Sequence, residues 1–338
     1  MSISSVRGGF LVVAAVLLVW TPMAQATSFT VFTYNVKGIP AQIEVAPGVF
    51  VDGNLDSPNT IPQIVSTLGS NLSNYDVVAI QEAFDPGYFA DINALSSNTP
   101  AFDFDTRPEP PPLILGGSGL TRLSQDPYSN YVRVPWVECG PNREDCFSTK
   151  GFSMARHTIG GGSVDIYNLH ADAGQEPEDR DARASQFAQL ASYIGSESAD
   201  NAVIVLGDTN SLYTRALESF GSFLTTTSLS DAWVELINGG QLPTMALSGC
   251  MDKAEDDPSQ CERIDKVLFR GSATLALIAE SYLVPDTLFL DNREGMTTNQ
   301  LSDHRPVIVG FNAFVVPEPG TATLLAIGLV GLAARTRR

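Results

Sequence analysis

Apolar and polar positions follow two different periods along this chain. Seven short runs are rich in β-branched and aromatic residues and are bounded by turn formers, which is typical of buried β-strands. They cover residues 29–35, 76–82, 150–157, 164–170, 202–208, 263–269 and 306–312. Residues 60–72 and 178–194 have the helical period instead. Strands and helices alternate through most of the chain, and this predicts one α/β domain.

The first 26 residues depart from this alternation. Arg7 precedes an apolar run at residues 10–20, and the small residues Ala24-Gln25-Ala26 follow. The run is too short to cross a bilayer as a stable helix, and small residues suit a signal peptidase. We therefore predict a signal peptide at residues 1–26; an N-terminal membrane anchor is the alternative.

The opposite end carries a second segment outside the α/β pattern. Residues 317–319 are Pro-Glu-Pro, residues 321–334 are mostly apolar, and three arginines follow. A short apolar segment before arginines is a membrane stop with the basic cluster at the cytoplasmic face. Residues 315–338 resemble the PEP-CTERM sorting signals of Gram-negative bacteria that make exopolysaccharide. The resemblance implies transient anchoring in the inner membrane, removal by an exosortase and release to the cell surface or medium; a lasting anchor is the alternative.

The body between these ends, residues 27–314, is strongly acidic. The chain has 20 Lys and Arg and 38 Asp and Glu residues, and the body keeps all of them except Arg7, the three tail arginines and Glu318, which leaves a net charge of −21. Such a charge disfavours tight binding to a polyphosphate backbone by counterion release, unless divalent cations bridge the two. The composition is that of a soluble, exported globular body that attracts cations.

Four cysteines form two pairs that are close in the sequence. Each pair closes a short polar loop, CGPNREDC or CMDKAEDDPSQC, and the residues are Cys139, Cys146, Cys250 and Cys261. An even number of cysteines in an exported chain favours disulfides. A zinc site would need the closer Cys-x-x-Cys spacing, which is absent from the sequence. We predict two disulfides, one in each loop.

Residues able to bind a metal ion or move a proton occur at the strand ends. They are Asn35, Glu82, His170, Asp208, Asn210, Asp265, Asp303 and His304. Loops at the strand ends of an α/β sheet are common places for active sites, because the sheet holds the loops still. Each motif alone also fits a solvated strand end or an ordinary turn. Their joint occurrence, with two of the three histidines, indicates an active site.

Two neighbouring features are expected to have structural roles only. His157, the third histidine, ends a predicted strand and is expected to contact a local partner. The acidic segment 171–183 is expected to be a solvated entry to the second helix, since its spacing fits no calcium loop.

The ordered motifs TYNVKG, IQE, NLHADAG, VLGDTNS, RIDKV and LSDHRP resemble the endonuclease/exonuclease/phosphatase superfamily. This superfamily includes DNase I, abasic-site endonucleases, inositol polyphosphate phosphatases and neutral sphingomyelinases. The resemblance covers about residues 28–311 and implies a DNase I-like fold, a four-layer α/β sandwich of two packed mixed β-sheets flanked by helices. NLHADAG and the preceding KGFSMAR are more similar to the sphingomyelinase branch than to DNase I.

The resemblance also implies a role for each site residue. Glu82 would be the central ligand of Mg²⁺, or of Mn²⁺ or Ca²⁺, with Asn35 and Asp303 nearby. His304, oriented by Asp265, would act as general base or carry a proton in the transition state. The implied roles of the remaining residues are water polarisation for Asp208, phosphate binding for Asn210, and phosphate binding or assistance to the leaving group for His170.

These features predict an exported, Mg²⁺-dependent phosphodiesterase of sphingomyelinase type that acts by in-line attack of water on phosphorus. A secreted DNase I-like endonuclease is the alternative, disfavoured because the body lacks a basic stripe. A phosphatase, or an inactive surface-binding module, is a weaker alternative. No stable protein partner is evident besides the exosortase-type machinery for the tail, and we expect a monomer.

Overall fold

The structure is a computed structural model that describes residues 26–101, 115, 117–140, 145–243, 261–293 and 300–316. All seven predicted strands and both predicted helices are confirmed within these ranges. The strands are β1 (Thr27–Asn35), β2 (Gln42–Ala46), β3 (Val49–Asp52), β4 (Val77–Gln81), β5 (Thr121–Ser124), β6 (Ser129–Pro135), β7 (Gly151–Ile159), β8 (Gly162–His170), β9 (Ala202–Asp208), β10 (Ser230–Asp231), β11 (Asp265–Arg270), β12 (Leu275–Leu283) and β13 (Val307–Val315). The helices are α1 (Ser57–Asn71), α2 (Pro86–Asn93), α3 (Pro177–Glu197), α4 (Phe220–Thr227) and α5 (Ala232–Leu236).

Most strands belong to two mixed sheets. The first sheet has the order β12-β13-β1-β4-β5, in which β1 and β4 are parallel. The second has the order β10-β11-β9-β8-β7-β6, in which β8 and β9 are parallel. Strands β2 and β3 form a separate hairpin. The two parallel pairs bring the carboxyl ends of neighbouring strands to one end of each sheet.

The sheets pack face to face, and helices cover their outer faces. The central core joins side chains of the first sheet, such as Val31 and Val309, to side chains of the second, such as Ile166 and Ile204. A second core packs α1 and α2 on the first sheet, and a third packs α3 and α4 on the second. This is the predicted four-layer α/β sandwich.

The alternation of side chains along β1 shows why its sequence suits this position. Phe29 and Val31 face the second sheet, whereas Phe32 and Tyr34 face the helical layer. Successive side chains of a strand point to opposite faces, so a strand covered on both sides needs apolar residues at nearly every position. Asn35 has the same parity as Phe29 and Val31, so it belongs to the face between the sheets.

The cysteine predictions are confirmed as far as the described residues extend. Cys139 and Cys146 form a disulfide with their Cα atoms 5.6 Å apart. Cys261 is also disulfide-bonded, while Cys250 lies outside the described residues. The predicted signal peptide, apart from its last residue, and nearly all of the predicted sorting tail lie outside them too. Among the helices that are described, none has the length and apolar character needed to span a bilayer.

The predicted solvated helix entry at residues 171–183 is present in part, since Glu176, Glu178 and Asp181 are exposed. Asp172, Asp179 and Arg183 are all buried. Arg183 donates through Nη1 to the carbonyl oxygens of residues 172–174 and pairs with Glu218 at 2.7 Å. Arg183 therefore ties the start of α3 to the loop that follows His170, while Glu176, Glu178 and Asp181 extend into water.

Candidate active site

The predicted site residues of both sheets meet at one end of the sandwich. In the first sheet Asn35 of β1 is in register with Gln81, directly before Glu82. In the second sheet Asp208 of β9 is in register with His170 on one side and with Asp265 on the other. The register within the two sheets thus aligns the ends of five strands, β1 with β4 in the first sheet and β8, β9 and β11 in the second.

The loop that carries the last motif is attached directly to β1. Ser302 Oγ donates a hydrogen bond of 2.7 Å to the carbonyl oxygen of Asn35 and accepts one from the backbone N–H of His304 at 3.2 Å. This connection brings His304 over the second sheet, where its Nδ1 lies 2.8 Å from Asp265 Oδ2. The predicted pairing of His304 with Asp265 is present in the structure.

Two groups of acidic and imidazole side chains share Asp208. Glu82, His170 and Asp208 form one group, and Asp208, Asp265 and His304 form the other; within each group the potential ligand atoms lie within 4.8 Å of one another. His170 Nε2 is 3.7 Å from Glu82 Oε1 and 3.5 Å from Asp208 Oδ2. His304 Nε2 is 3.7 Å from Asp208 Oδ2 on the other side.

The two histidines have opposite protonation tendencies. Burial lowers the pKa of His170 well below its ordinary value, and the positive charges of Lys150 and His304 lower it further. Burial also opposes the charge of His304, but Asp265 and Asp208 outweigh this effect and raise its pKa to about 10. At neutral pH the protein alone therefore holds a neutral His170 and a positively charged His304.

The carboxyl group of Asp208 is buried, which disfavours its charged form. Burial raises its pKa to about 6, although the positive charge of His304 acts in the opposite direction. Its Oδ1 accepts a hydrogen bond of 2.9 Å from the backbone N–H of Asn210, and its Oδ2 accepts one of 3.0 Å from Asn35 Nδ2. A buried carboxylate near neutral pKa can accept a proton from water at modest cost.

The backbone at the site adopts conformations that are uncommon for side-chain-bearing residues. Glu82 has a φ of 60° and Asn210 a φ of 49°. The turn of Glu82 also needs a glycine opposite it, because a Cβ on Gly119 would lie 3.0 Å from Glu82 Cα. Left-handed backbone costs free energy, so it persists only where surrounding contacts hold it, often at functional sites.

Three predicted residues have contacts that bear on their expected roles. Asn35 donates through Nδ2 to Glu82 Oε1 at 2.8 Å, while its Oδ1 accepts from the backbone N–H of Lys37. A metal-ligating oxygen would require a half-turn of this amide. Asn210 donates through Nδ2 to the Ala171 carbonyl oxygen at 3.0 Å. Asp303 lies outside both groups; its side chain is 55% exposed and its Oδ2 is 2.7 Å from Lys37 Nζ.

Lys150 is a site residue that sequence reasoning missed. It is buried directly before β7 and pairs with Asp145. Its burial opposes the charged form, but Asp145 and Glu82 together raise its pKa. A buried cation whose charge acts on both Glu82 and His170 lies where a phosphate group could be held. In the sequence it is only one lysine before a strand, and its burial comes from the fold.

A buried layer of polar side chains, Thr33, Gln81 and Asn168, lies between the apolar core and the site and was also missed. Gln81 Nε2 donates to Asn168 Oδ1 at 2.6 Å and to Thr33 Oγ1 at 3.0 Å. Asn168 Nδ2 donates to the carbonyl oxygens of Ile80 and Thr121, both at 3.0 Å. These bonds link β4 of the first sheet to β8 of the second, directly before Glu82 and two residues before His170.

The donor set fits a divalent cation. Carboxylate oxygens are the ligands that Mg²⁺ and Ca²⁺ prefer, and neutral imidazole also binds Mn²⁺. His170 Nδ1 is buried and has no hydrogen-bond partner among the described residues. Glu82 and Asp208 bring two carboxylates together at a largely buried position, where a cation would reduce their repulsion.

Comparison with known proteins agrees with this geometry. Residues 124–260 match the model of Endonuclease/Exonuclease/phosphatase family 2. Over 292 aligned residues the chain is 32% identical to a sphingomyelinase of Mycobacterium tuberculosis. The alignment covers 84% of this chain and 52% of the mycobacterial protein. The chain belongs to the endonuclease/exonuclease/phosphatase superfamily. It spans about half the length of the mycobacterial relatives that it matches.

Solved structures of the superfamily share the fold. Sphingomyelinase C of Streptomyces griseocarneus superposes with a TM-score of 0.61 at 21% identity, covering 84% of this chain and 99% of that one. A beta toxin variant of Staphylococcus aureus with bound magnesium ions superposes with a TM-score of 0.55 at 16% identity, covering 84% and 99%. At such identities the likeness establishes the DNase I-like fold alone.

A separate family match covers the end of the chain. Residues 315–338 match the PEP-CTERM protein-sorting motif. The predicted sorting signal is confirmed, and it indicates export and membrane-associated sorting. The superfamily domain and the sorting motif occupy different parts of one chain.

Proposed function

We propose that this protein is an exported, Mg²⁺-dependent phosphodiesterase of sphingomyelinase type. The observation that carries the proposal is the meeting of Glu82, His170, Asp208, Asp265 and His304 at one end of the sandwich. A dead copy of the fold would be free to lose any of these residues. The identity to mycobacterial sphingomyelinases supports the substrate class.

The residues that would hold the cation are Glu82 and Asp208, with His170 or a rotated Asn35 amide as a further ligand. Asp303 remains a predicted ligand only if its ion pair with Lys37 opens. When bound, Mg²⁺ supplies positive charge that stabilises the phosphorane-like transition state. Mn²⁺ and Ca²⁺ have suitable ligand preferences and are the alternative cations.

The protein groups divide the proton transfers between two sides of the phosphorus. Asp208 is positioned to orient water and take its proton as the new P–O bond forms. His304, held by Asp265 at 2.8 Å, is positioned to donate a hydrogen bond to the phosphoryl group or a proton to the departing alcohol oxygen as the old P–O bond breaks. This assignment favours the proton-carrier role of His304 over that of general base, because its raised pKa keeps the ring charged.

His170, Lys150 and Asn210 complete the phosphate site. His170 is neutral and buried, so it can donate one hydrogen bond without carrying charge. Lys150 provides the compact positive charge that a non-bridging phosphate oxygen needs. Asn210, in its left-handed turn beside Asp208, would offer its amide after releasing the Ala171 carbonyl oxygen.

The test offers the purified full-length chain three substrates, sphingomyelin in mixed micelles, plasmid DNA and phosphorylated inositol, each with Mg²⁺ and with chelator. We expect sphingomyelin hydrolysis that requires Mg²⁺ and falls at least a hundredfold in Glu82→Gln and in His304→Ala. Glu280→Gln is the matched control, because Glu280 is exposed on β12. Cleavage of DNA but not of sphingomyelin would replace this proposal by the endonuclease alternative, and failure to act on any ester would overturn both.

A further inference from the structure

Both ends of the folded domain lie opposite the candidate active site. Strand β1 begins at Thr27 and ends at Asn35, in the site. Strand β13 runs antiparallel to it, with Ala313 in register with Thr27, and continues to Val315. We call the end with Asn35 the site pole and the end with Thr27 and Val315 the tail pole.

The second sheet has the same two poles. Strand β8 starts at Gly162 and ends at His170, in the site. In the turn before β8, a Cβ on Gly160 would lie 3.0 Å from the Cβ of Ala313, and one on Gly161 would lie 3.7 Å from Val315 Cγ2. This turn therefore packs against the tail pole, and the strands of both sheets run from one pole to the other.

The separation of the poles follows from the strand length. Strand β1 has 9 residues, and a strand rises about 3.3 Å per residue, so the poles are roughly 26 Å apart. The apolar run of the tail begins at residue 321, only a few residues after Val315. Five extended residue steps from Val316 reach at most about 18 Å, and two prolines stiffen this link.

This link is too short to let the domain turn over. If the site pole lay against the membrane that holds the tail, the link after Val316 would have to run from the tail pole back along the whole domain to reach that membrane. The link would then have to span at least the separation of the two poles, which is longer than its extended length. A domain held by the tail therefore cannot turn over to place its site pole against the membrane.

We propose that, while the tail is held in a membrane, the active site faces away from that membrane and acts only on esters in solution or on another surface. The inference rests on the proposed function for its substrate, but its geometry depends only on the fold and the sorting motif. Removal of the tail frees the enzyme to attack any accessible lipid surface. Anchoring thereby protects the membrane that carries the enzyme.

The activity test uses the full-length chain in vesicles, with the membrane-bound fraction isolated by flotation. A variant with a 30-residue Gly-Ser insertion after Val316 serves as the comparison, since a flexible link of that length spans the domain. With sphingomyelin in the same vesicles as the enzyme, we expect the native chain to hydrolyse at least tenfold more slowly than the insertion variant. With sphingomyelin in separate vesicles the two should be equally active. Equal rates on lipid of the same vesicle would overturn the proposal.

A distance measurement tests the orientation without activity. Leu55 is exposed beside the site pole, where Asn54 Nδ2 bonds the Lys37 carbonyl oxygen, and Ser163 is exposed at the tail pole. A fluorophore on Ser163→Cys should transfer energy to acceptor lipids more efficiently than one on Leu55→Cys, and the insertion should reduce the difference. Equal or reversed efficiencies in the native chain would refute the orientation. If the distances hold but no vesicle lipid is hydrolysed, the proposed substrate fails and the orientation stands.

Discussion

The buried contact between Gln81 and Asn168 offers a sharp test of how the two sheets support the site. Both side chains are fully buried, and Gln81 also donates to Thr33. Gln81→Met keeps the shape of the side chain but leaves Asn168 Oδ1 and Thr33 Oγ1 without this donor. A buried polar group that loses its partner costs ~1–3 kcal/mol, and two groups are affected, so we expect the free energy of unfolding to fall by about 2–6 kcal/mol.

A double-mutant cycle isolates the contact from the loss of packing. Asn168→Leu removes the opposite partner and also leaves the Ile80 and Thr121 carbonyl oxygens without its amide donor. Once Asn168 is gone, Gln81→Met removes no bond between the sheets. The double variant should therefore be more stable than the sum of the single losses predicts, by about 1 kcal/mol or more.

Urea unfolding at neutral pH measures each corner of this cycle, with phosphodiesterase activity measured in parallel. Gln81 directly precedes Glu82, and Asn168 lies two residues before His170, so activity should fall with either substitution in protein that remains folded. An unchanged slope of the urea transition would show that the folded and unfolded states are otherwise comparable. Losses that add within about 0.5 kcal/mol would refute the coupling between the sheets.

Two further predictions concern pH and the cation. Burial, with the nearby charge of Arg122, lowers the pKa of His157 to about 3, so below pH ~6.5 the unfolded chain binds a proton that the folded chain rejects. The free energy of unfolding should therefore decrease as pH falls from ~6.5 toward 3, by at most about 1.4 kcal/mol per pH unit from this group. His157→Gln should reduce this pH dependence, measured by urea unfolding at several pH values. An unchanged pH dependence would contradict the lowered pKa of His157. Mg²⁺ should raise the melting temperature, and the shift should keep growing with the logarithm of the Mg²⁺ concentration above the dissociation constant. Calorimetry should find this shift in Glu280→Gln but not in Glu82→Gln; an equal shift in both would place the cation elsewhere.

The strands and the site motifs could be predicted because they depend on local pattern. Strands such as β8 and β9 are buried on both faces and have almost uninterrupted apolar sequences. The hairpin β2–β3 gave no such signal, because all four residues of β3 are exposed. Strand β12 was missed for a related reason, since exposed positions such as Ile278 and Glu280 alternate with its buried positions and break up the apolar sequence.

Burial and long-range contacts account for what the sequence could not predict. Lys150 is buried and pairs with Asp145, five residues earlier in the chain, but a lysine before a strand gives no sign of such burial. Arg183 lies in the first turns of a helix, where an exposed side chain is expected. It is buried instead and donates a hydrogen bond to Glu218, 35 residues later in the chain. The partner of Arg183 cannot be identified from spacing, because this contact forms only when separate segments converge at the site pole.

The side chains that face the space between the two sheets change from apolar to polar toward the site pole. The core and the site therefore occupy different ends of the same space between the sheets. Along β1 the inward-facing residues are Phe29, Val31, Thr33 and Asn35; along β8 they are Val164, Ile166, Asn168 and His170; along β9 they are Ala202, Ile204, Leu206 and Asp208. In each strand the site residue thus has the parity of the core residues before it.

This shared parity ties the site to the register of the sheets. A slip of one residue would turn both the apolar set and the site residue to the other face, so the hydrophobic free energy that fixes the core also fixes the site. The polar members cannot be solvated there, and Thr33, Gln81 and Asn168 therefore bond one another across the sheets. Along the inward-facing positions of β1, β8 and β9, the ionisable groups begin only beyond this bonded layer. Because successive side chains alternate between the two faces of a strand, counting back two residues from Asn35 and from His170 leads to Thr33 and Asn168, the inward-facing polar residues on which this layer depends.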